Sequence, residues 1–412
     1  MSLKRIGGKA IVYALSNGLG SAAQLLLLFY CAYVLPGDSL GVLTLFTAVV
    51  ALSTQVMGFG LVAAFQRDFY TASSDLRRAY LSTLVGAVIV VGLIILLLVS
   101  AAVPLLGDRL GFPASLLIVA MIGALGQALQ QFLLAVWQSE GAGRSYLIYM
   151  SCFCALQMVV PMGVIEWLGH RWESAVYGQA AVFLLAGLLS LGVLRVKGYL
   201  RPCCHRSYLR SALSFGLPLV PYQFAGWGMA MLDRFIITSF SGVAVAGYYA
   251  LAFQAAQLIN IVSSGFNQAF SPWLYASLSK GTAGDFRQIR LVLSGYSAGL
   301  VLICLSGYLL FAMIAGLLDN QAYREALVFA PWLFLAMLLN GLYRASSSFL
   351  LYNGRTGVLA IMISLIALVS VGLNYELVQI WGAPAAGWVC CLCFGLLFSL
   401  TAFLAVNQQR VR

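Results

Sequence analysis

The chain is short of charge. Asp, Glu, Lys and Arg make up only 8% of its 412 residues, against ~25% in a soluble domain. A water-coated surface needs more than that, so the soluble classes are excluded. No stretch is polar enough to be a separate soluble domain on a membrane anchor. Histidine is scarcer still, with His170 and His205 both in short loops. Without histidines at ligand spacing, the nine cysteines (Cys31, Cys152, Cys154, Cys203, Cys204, Cys304, Cys390, Cys391 and Cys393) do not read as a zinc site. Most lie in apolar runs and read as small buried side chains, not as a disulfide framework. No metal, no cofactor and no catalytic residue is expected. The apolar runs are continuous, without strict alternation, which excludes a transmembrane barrel.

What is abundant is apolar residue. Hydrophobic types make up 62% of the chain, roughly 255 residues, and a bilayer-spanning helix takes ~20, so there is material for about twelve spans. Runs broken at charges, glycine and proline place them at 10–35, 41–65, 79–106, 114–137, 146–168, 174–196, 212–240, 245–277, 291–318, 326–352, 357–380 and 384–406. The first follows Lys4, Arg5 and Lys9 as a signal peptide would. It is too long for an h-region and reads as an uncleaved first span.

The net charge of +11 reads as topology, and nucleic acid is not expected as a partner. With the N-terminus inside, 18 of the 23 basic residues fall on the cytoplasmic side, and only Arg109, Arg171 and Arg324 fall outside. The bias alternates correctly through twelve crossings, so both termini are expected in the cytoplasm. Seven acids lean outward and four inward, and Asp233, Arg234 and Arg344 remain within spans.

The longest polar stretch, 197–211, lies between spans 6 and 7. It suggests two halves, 1–200 and 212–412, joined by a cytoplasmic linker at 201–211. The halves resemble each other. Ala14-Leu15-Ser16-Asn17-Gly18-Leu19 opens the first and Ala212-Leu213-Ser214-Phe215-Gly216-Leu217 the second, and Gly60, Phe65 and Tyr70 match Gly265, Phe270 and Tyr275 at an offset of 205. Six spans per half make a parallel repeat. The expected fold class is an all-α integral membrane protein, with two parallel six-helix lobes around a central cavity.

Polar residues in the spans fall into stripes. Span 1 carries Tyr13, Asn17, Ser21 and Gln24. Span 4 carries Gln127, Gln131 and Gln138, with Gln130 beside them. Span 8 carries Gln254, Gln257, Asn260, Ser264, Asn267 and Gln268, and span 10 carries Asn340, Arg344, Ser347 and Ser348. These spacings share one helical face. Any one such residue reads as interhelical hydrogen-bond glue; four stripes of this length favour the lining of a water-filled cavity. Arg344 reads as a cavity cation that admits an anion. Arg67, at the inner end of span 2, is a weaker candidate because Asp68 is placed to pair with it. Asp233 reads either as the partner of a cation or as an anchor near the outer side of span 7. Its neighbour Arg234 points about 100° away and is expected to snorkel outward. Pro218 and Pro221 should bend span 7 and supply a hinge. The aromatics of spans 7 and 8, among them Tyr222, Trp227, Tyr249, Phe253 and Trp273, suit an interface belt or sugar stacking.

The stretch 214–257 resembles the opening of the second half of polysaccharide flippases, the Wzx-type O-antigen translocases of the multidrug/oligosaccharidyl-lipid/polysaccharide exporter superfamily. The residues that carry the resemblance are Gly216, Pro218, Pro221, Asp233, Arg234, Gly247 and Tyr249. It implies a V-shaped two-lobe fold in the bacterial inner membrane. It also implies an undecaprenyl-diphosphate-linked oligosaccharide moved from the cytoplasmic to the periplasmic leaflet by alternating access. The partners implied are that glycolipid and the bilayer, with a polysaccharide polymerase, a chain-length regulator and a coupling ion as further candidates. Arginines suit the diphosphate, and amides and aromatics suit the sugars. Two alternatives stay open. A cation-coupled multidrug antiporter of the same architecture favours buried acids, and this chain has one acid in a span. A membrane glycan polymerase or acyltransferase would want a large outer loop or an intramembrane histidine.

The charge bias generates a test of topology. Cysteine tags at Lys280 and Arg355 should be shielded from a membrane-impermeant reagent in intact cells, and tags at Asp38 and Asp319 should react. The opposite pattern would overturn the orientation.

Overall fold

The computed structural model describes residues 3–69, 74–106, 113–201, 205–280, 283–318 and 320–410. Asp319, Cys203 and Cys204 lie outside them, as do the side chains of Asn17, Tyr222 and Lys280. Among the described residues every regular element is helical. In chain order they are α1 (Leu3–Val34), α2 (Gly37–Gly58), α3 (Leu61–Asp68), α4 (Ser74–Leu106), α5 (Ser115–Glu140), α6 (Gly143–Leu168), α7 (Trp172–Val196), α8 (Arg206–Gly216), α9 (Val220–Trp227), α10 (Asp233–Ser241), α11 (Val243–Lys280), α12 (Ala283–Leu317), α13 (Gln321–Ala326), α14 (Ala330–Tyr352), α15 (Thr356–Trp381) and α16 (Pro384–Arg410). Ten of these are long and apolar enough to cross a membrane. The fold is that of an all-α membrane protein.

The expected spans recur as helices, with two interruptions. Span 2 is broken at Phe59 and Gly60 into α2 and α3. Span 7 is not one helix. A 3₁₀ turn at Leu217–Leu219 follows α8, and a π-helical segment at Gly228–Leu232 separates α9 from α10. Pro218 and Pro221 account for the first break, since each removes a backbone donor and its ring crowds the preceding turn. The π segment stands immediately before Asp233, and such segments gather at functional positions.

By internal contacts the chain forms two units, Met1–Tyr33 with Gly228–Arg412, and Val34–Trp227. The halves read from the sequence rest on the repeat, whereas these units rest on packing. The two divisions differ over α1 and residues 206–227. In the first unit, side chains clasp α1 near its C-terminal end by bonding its backbone carbonyls. Tyr323 Oη donates to Phe29 O at 2.7 Å, and Asn320 Nδ2 donates to Tyr33 O at 3.2 Å. α11 and α14 are 61% buried along their spans while α12 and α15 are 22% buried, so the latter pair forms the outer, lipid-facing layer.

In the second unit, α2 and α5 are buried over 72% and 61% of their spans, and α4 and α6 over 22% and 28%. Small residues bring the inner helices to backbone contact, as is common where lipid supplies no hydrophobic drive between helices. A Cβ at Gly126 of α5 would lie 2.2 Å from Phe183 O of α7, and one at Gly187 would lie 2.6 Å from Gly126 Cα. At one end of the unit Gly60, at φ +69°, meets Gly216: a Cβ on Gly60 would stand 2.9 Å from Gly216 Cα. This contact docks α8 against the start of α3. Trp227 Nε1 donates to Ala48 O at 3.0 Å and holds α9 on α2.

The Gly126 contact predicts that Gly126→Ala loses ~1–3 kcal/mol or more to overpacking, because the atom in the way is backbone. Gly86→Ala, with nothing within 4 Å of the new methyl, should be neutral or gain up to ~1 kcal/mol from helix propensity. Thermal midpoints of the purified variants check the contrast, and equal midpoints would contradict the packing.

Candidate functional site

Two polar constructions stand out in the first unit. The first begins where the π segment ends. Asp233 and Arg234 are the two charged residues that are buried among the described residues, 6% and 4% exposed. The carboxylate takes Tyr249 Oη as donor at 2.5 Å on one oxygen and the Arg234 backbone N–H at 2.9 Å on the other. Tyr249 stands early in α11, across the turn at Gly242, and its ring packs edge-on against Phe329. Asp233 therefore ties α10 to α11. Arg234 corrects an expectation. It does not snorkel: its guanidinium lies 5.5 Å from the Phe253 ring, Nη1 rests on Met231 Sδ, and Nε is buried without a hydrogen-bond partner. The reason is local, since α11 places an aromatic face where the guanidinium can stack.

The second construction is a ladder between α11 and α14. Asn260 Nδ2 donates to Gln257 Oε1 at 2.9 Å, and Asn340 Nδ2 reaches Asn260 Oδ1 at 3.5 Å. Arg344 Nη1 reaches Ser264 Oγ at 3.3 Å, and Ser348 Oγ donates to Asn267 Oδ1 at 3.0 Å. Tyr296 of α12 flanks the ladder, stacked on Phe266 with centroids 3.8 Å apart and donating to Gly341 O at 3.1 Å. Good N–H···O bonds run ~2.7–3.2 Å. The Asn340 and Arg344 rungs, at 3.5 and 3.3 Å, are longer than that, and the Ser348 hydroxyl makes the shorter contact. Gln254 is half-buried on the same helix, and Gln24 is half-buried on α1.

In the second unit Thr54 Oγ1 reaches Gln127 Oε1 at 3.3 Å, Gln66 Nε2 donates to Gln138 Oε1 at 2.9 Å, and Gln131 is exposed. Arg67 is spoken for: Nε and Nη2 make a fork on Asp68 at 2.6 and 2.8 Å. Pro218 and Pro221 are exposed at the 3₁₀ break. The stripes thus bring together Gln257, Asn260, Asn267, Asn340 and Arg344, and leave Arg67 and Gln127 in a different unit.

Sequence reasoning did not pair Tyr249 with Asp233, nor Ser264 with Arg344. The signal for the first was present. The two residues lie at similar distances either side of the Gly242 turn, where antiparallel helices face each other. For the second, Ser264 and Arg344 sit on different stripes with nothing in either sequence to fix their relative heights.

Solved structures share this fold along nearly the whole chain. A multidrug resistance MATE family transporter of the MOP superfamily, in an inward-facing conformation, superposes with a TM-score of 0.74 at 16% identity, covering 97% of this chain and 98% of that one. An outward-facing conformation of such a transporter gives 0.63 at 18% identity over 97% and 95%. A MOP superfamily transporter from Pyrococcus furiosus, whose binding pocket is described as of reverse polarity, gives 0.65 at 16% identity over 97% and 95%. No curated protein matches in sequence. The family model described as polysaccharide biosynthesis protein matches residues 6–277, and the chain belongs to that family. The likeness to the solved transporters is one of fold.

The Asp233–Tyr249 contact predicts that Tyr249→Phe lowers stability by about 1.5–3 kcal/mol, the worth of a hydrogen bond to a charged group. Paired with Asp233→Asn, the double variant should lose clearly less than the two single losses added together. Additive losses in the thermal midpoint would mean that the contact contributes nothing.

Proposed function

We propose that the protein is a flippase for undecaprenyl-diphosphate-linked oligosaccharide repeat units of the O-antigen type. It moves them from the cytoplasmic to the periplasmic leaflet of a bacterial inner membrane by alternating access. The six-span lobes (1–200 and 212–412), the linker at 201–211 and the cytoplasmic termini belong to this proposal. No covalent bond changes, so the protein is not an enzyme.

The observation that carries the reading is the company Arg344 keeps. A half-buried guanidinium, in reach of Ser264, stands among the amides of Asn260, Asn267 and Asn340 and the hydroxyl of Ser348. A planar cation with a forked edge suits a diphosphate, and amides that both give and accept suit sugar hydroxyls. The substrate's long apolar tail needs no protein site, because lipid receives it.

A second reading has one observation in its favour. Asp233 is a buried carboxylate held by a phenol and a backbone N–H, and a cation-coupled multidrug antiporter would use such a group. The first reading is preferred because the polar ladder offers amides, hydroxyls and a cation.

Complementation of a strain lacking its surface-polysaccharide translocase tests the proposal, scored as glycan on the cell surface. Wild type should restore export. Arg344→Ala, at normal membrane abundance, should cut it about ten- to a hundredfold, the loss of one to two charge-assisted hydrogen bonds. Arg344→Lys should recover part, since it keeps the charge and loses the fork. Full export by Arg344→Ala would remove Arg344 from the site.

A further inference from the structure

One end of the unit 34–227 holds three cations against aromatic rings. Arg67 lies 4.3 Å from the Phe215 centroid, Arg77 4.8 Å from that of Phe69, and Lys197 Nζ 5.4 Å from that of Trp137. Stacking fixes the plane of a guanidinium and leaves its edge for hydrogen bonds. The edges of the two arginines differ in use. That of Arg67 is filled by the Asp68 fork, and Tyr80 Oη adds a third bond to the same carboxylate at 3.1 Å. Its charge is answered within the protein.

The acids that could answer Arg77 and Arg78 are engaged elsewhere. Asp75, two residues before Arg77, reaches Arg201 at 3.4 Å, and Glu140 accepts the hydroxyl of Tyr199. Among the described residues no carboxylate stands within ion-pair distance of Arg77 or Arg78, and Arg77 Nε is buried without a partner. Both guanidiniums act on the Tyr199 phenol. Burial and the bond to Glu140 push that phenol up to about 12, and Arg77 and Arg78 pull it back. The backbone around them is held by Ser82, whose Oγ donates to Arg78 O at 2.8 Å. Ser82 Oγ donates to Tyr199 O at 3.1 Å and accepts from Arg201 N at 2.8 Å, and Thr83 Oγ1 accepts from His205 N at 3.2 Å, so the linker is pinned to α4 beside the arginines.

A guanidinium stacked on Phe69, with a second arginine next in sequence and neither in an ion pair among the described residues, matches an anion with several oxygens. At the edge of membrane-spanning helices the anion at hand is a headgroup. We propose that Arg77 and Arg78, with Tyr199 beside them, bind the phosphate of a lipid headgroup. The site deepens the flippase reading and rests on it and on the inside-N orientation for its source. The diphosphate of the lipid-linked glycan would be met here, in the cytoplasmic leaflet, before translocation. An anionic phospholipid presents the same chemistry, and the two sources are separable by experiment.

The probes are undecaprenyl diphosphate and phosphatidylglycerol, each titrated onto the purified full-length protein in nanodiscs of zwitterionic lipid. The variants are Arg77→Gln with Arg78→Gln, and Arg67→Gln as a control. The double variant should bind undecaprenyl diphosphate about tenfold or more weakly, as expected when two basic groups are removed from a membrane surface, while Arg67→Gln binds as wild type does. A loss confined to undecaprenyl diphosphate identifies a substrate entry site. An equal loss for both lipids identifies a general headgroup site. Unchanged affinity for both probes in a double variant with a wild-type thermal midpoint overturns the proposal. Arg78→Gln alone leaves the Arg77–Phe69 stack in place and keeps the question answerable if the double variant does not accumulate: a weakened titration supports the site, and an unchanged one counts against it. Failure of the wild type to export glycan in the complementation assay would sink the flippase reading and leave these binding results standing on their own.

Discussion

A polar group left without a partner in hydrocarbon costs several kcal/mol, and most of the non-obvious features of this chain answer that constraint. Where span 7 departs from α-helical geometry it does so through a 3₁₀ turn and a π segment, which keep backbone groups bonded while changing the helix pitch. The Asp233 carboxylate has a donor on each oxygen. Near the end of α1, Tyr33 O takes Asn320 Nδ2, and Phe29 O takes the Tyr323 hydroxyl. The α11–α14 ladder lets amides serve one another. Against this background, polar groups that are weakly satisfied carry information. The orphan Nε of Arg77 is one such group.

Much of the fold was legible because membrane spans are written in composition. Continuous apolar runs and the distribution of arginine are one-dimensional signals, and they located the spans. The proline break in span 7 was legible for the same reason, since Pro218 and Pro221 act on their own turn. The π segment at 228–232 was not, because Gly-Met-Ala-Met-Leu contains no residue that requires it. Asp68 was readable as the partner of Arg67 because the two are adjacent. Arg234 was misread as a snorkelling residue because its stacking partner, Phe253, lies on the next helix. The grouping of α1 with residues 228–412 was hidden as well. A repeat reports similarity between halves, and packing is decided by contacts such as Tyr323 on Phe29.

The candidate site shows the same division. Helical spacing put Asn260, Asn267, Asn340 and Arg344 on two faces, and the structure brings those faces together. Spacing alone could not say whether the faces would bond each other or line water. They do bond each other, unevenly, which gives the earlier choice between glue and binding surface a more specific form. The Ser348–Asn267 rung is the shorter contact, at 3.0 Å, and the Arg344–Ser264 rung the longer, at 3.3 Å.

The central claim is that this chain moves a lipid-linked glycan across a bilayer. The most direct measurement is reconstitution of the purified protein into liposomes loaded with undecaprenyl-diphosphate-linked oligosaccharide. An impermeant glycosidase added outside then reports, over time, the fraction of glycan it can reach. The account predicts that accessible glycan rises from about half, the share of a symmetric bilayer, towards completion at a rate that scales with protein density. A plateau at the protein-free level, in liposomes whose protein is folded and correctly inserted, would contradict it.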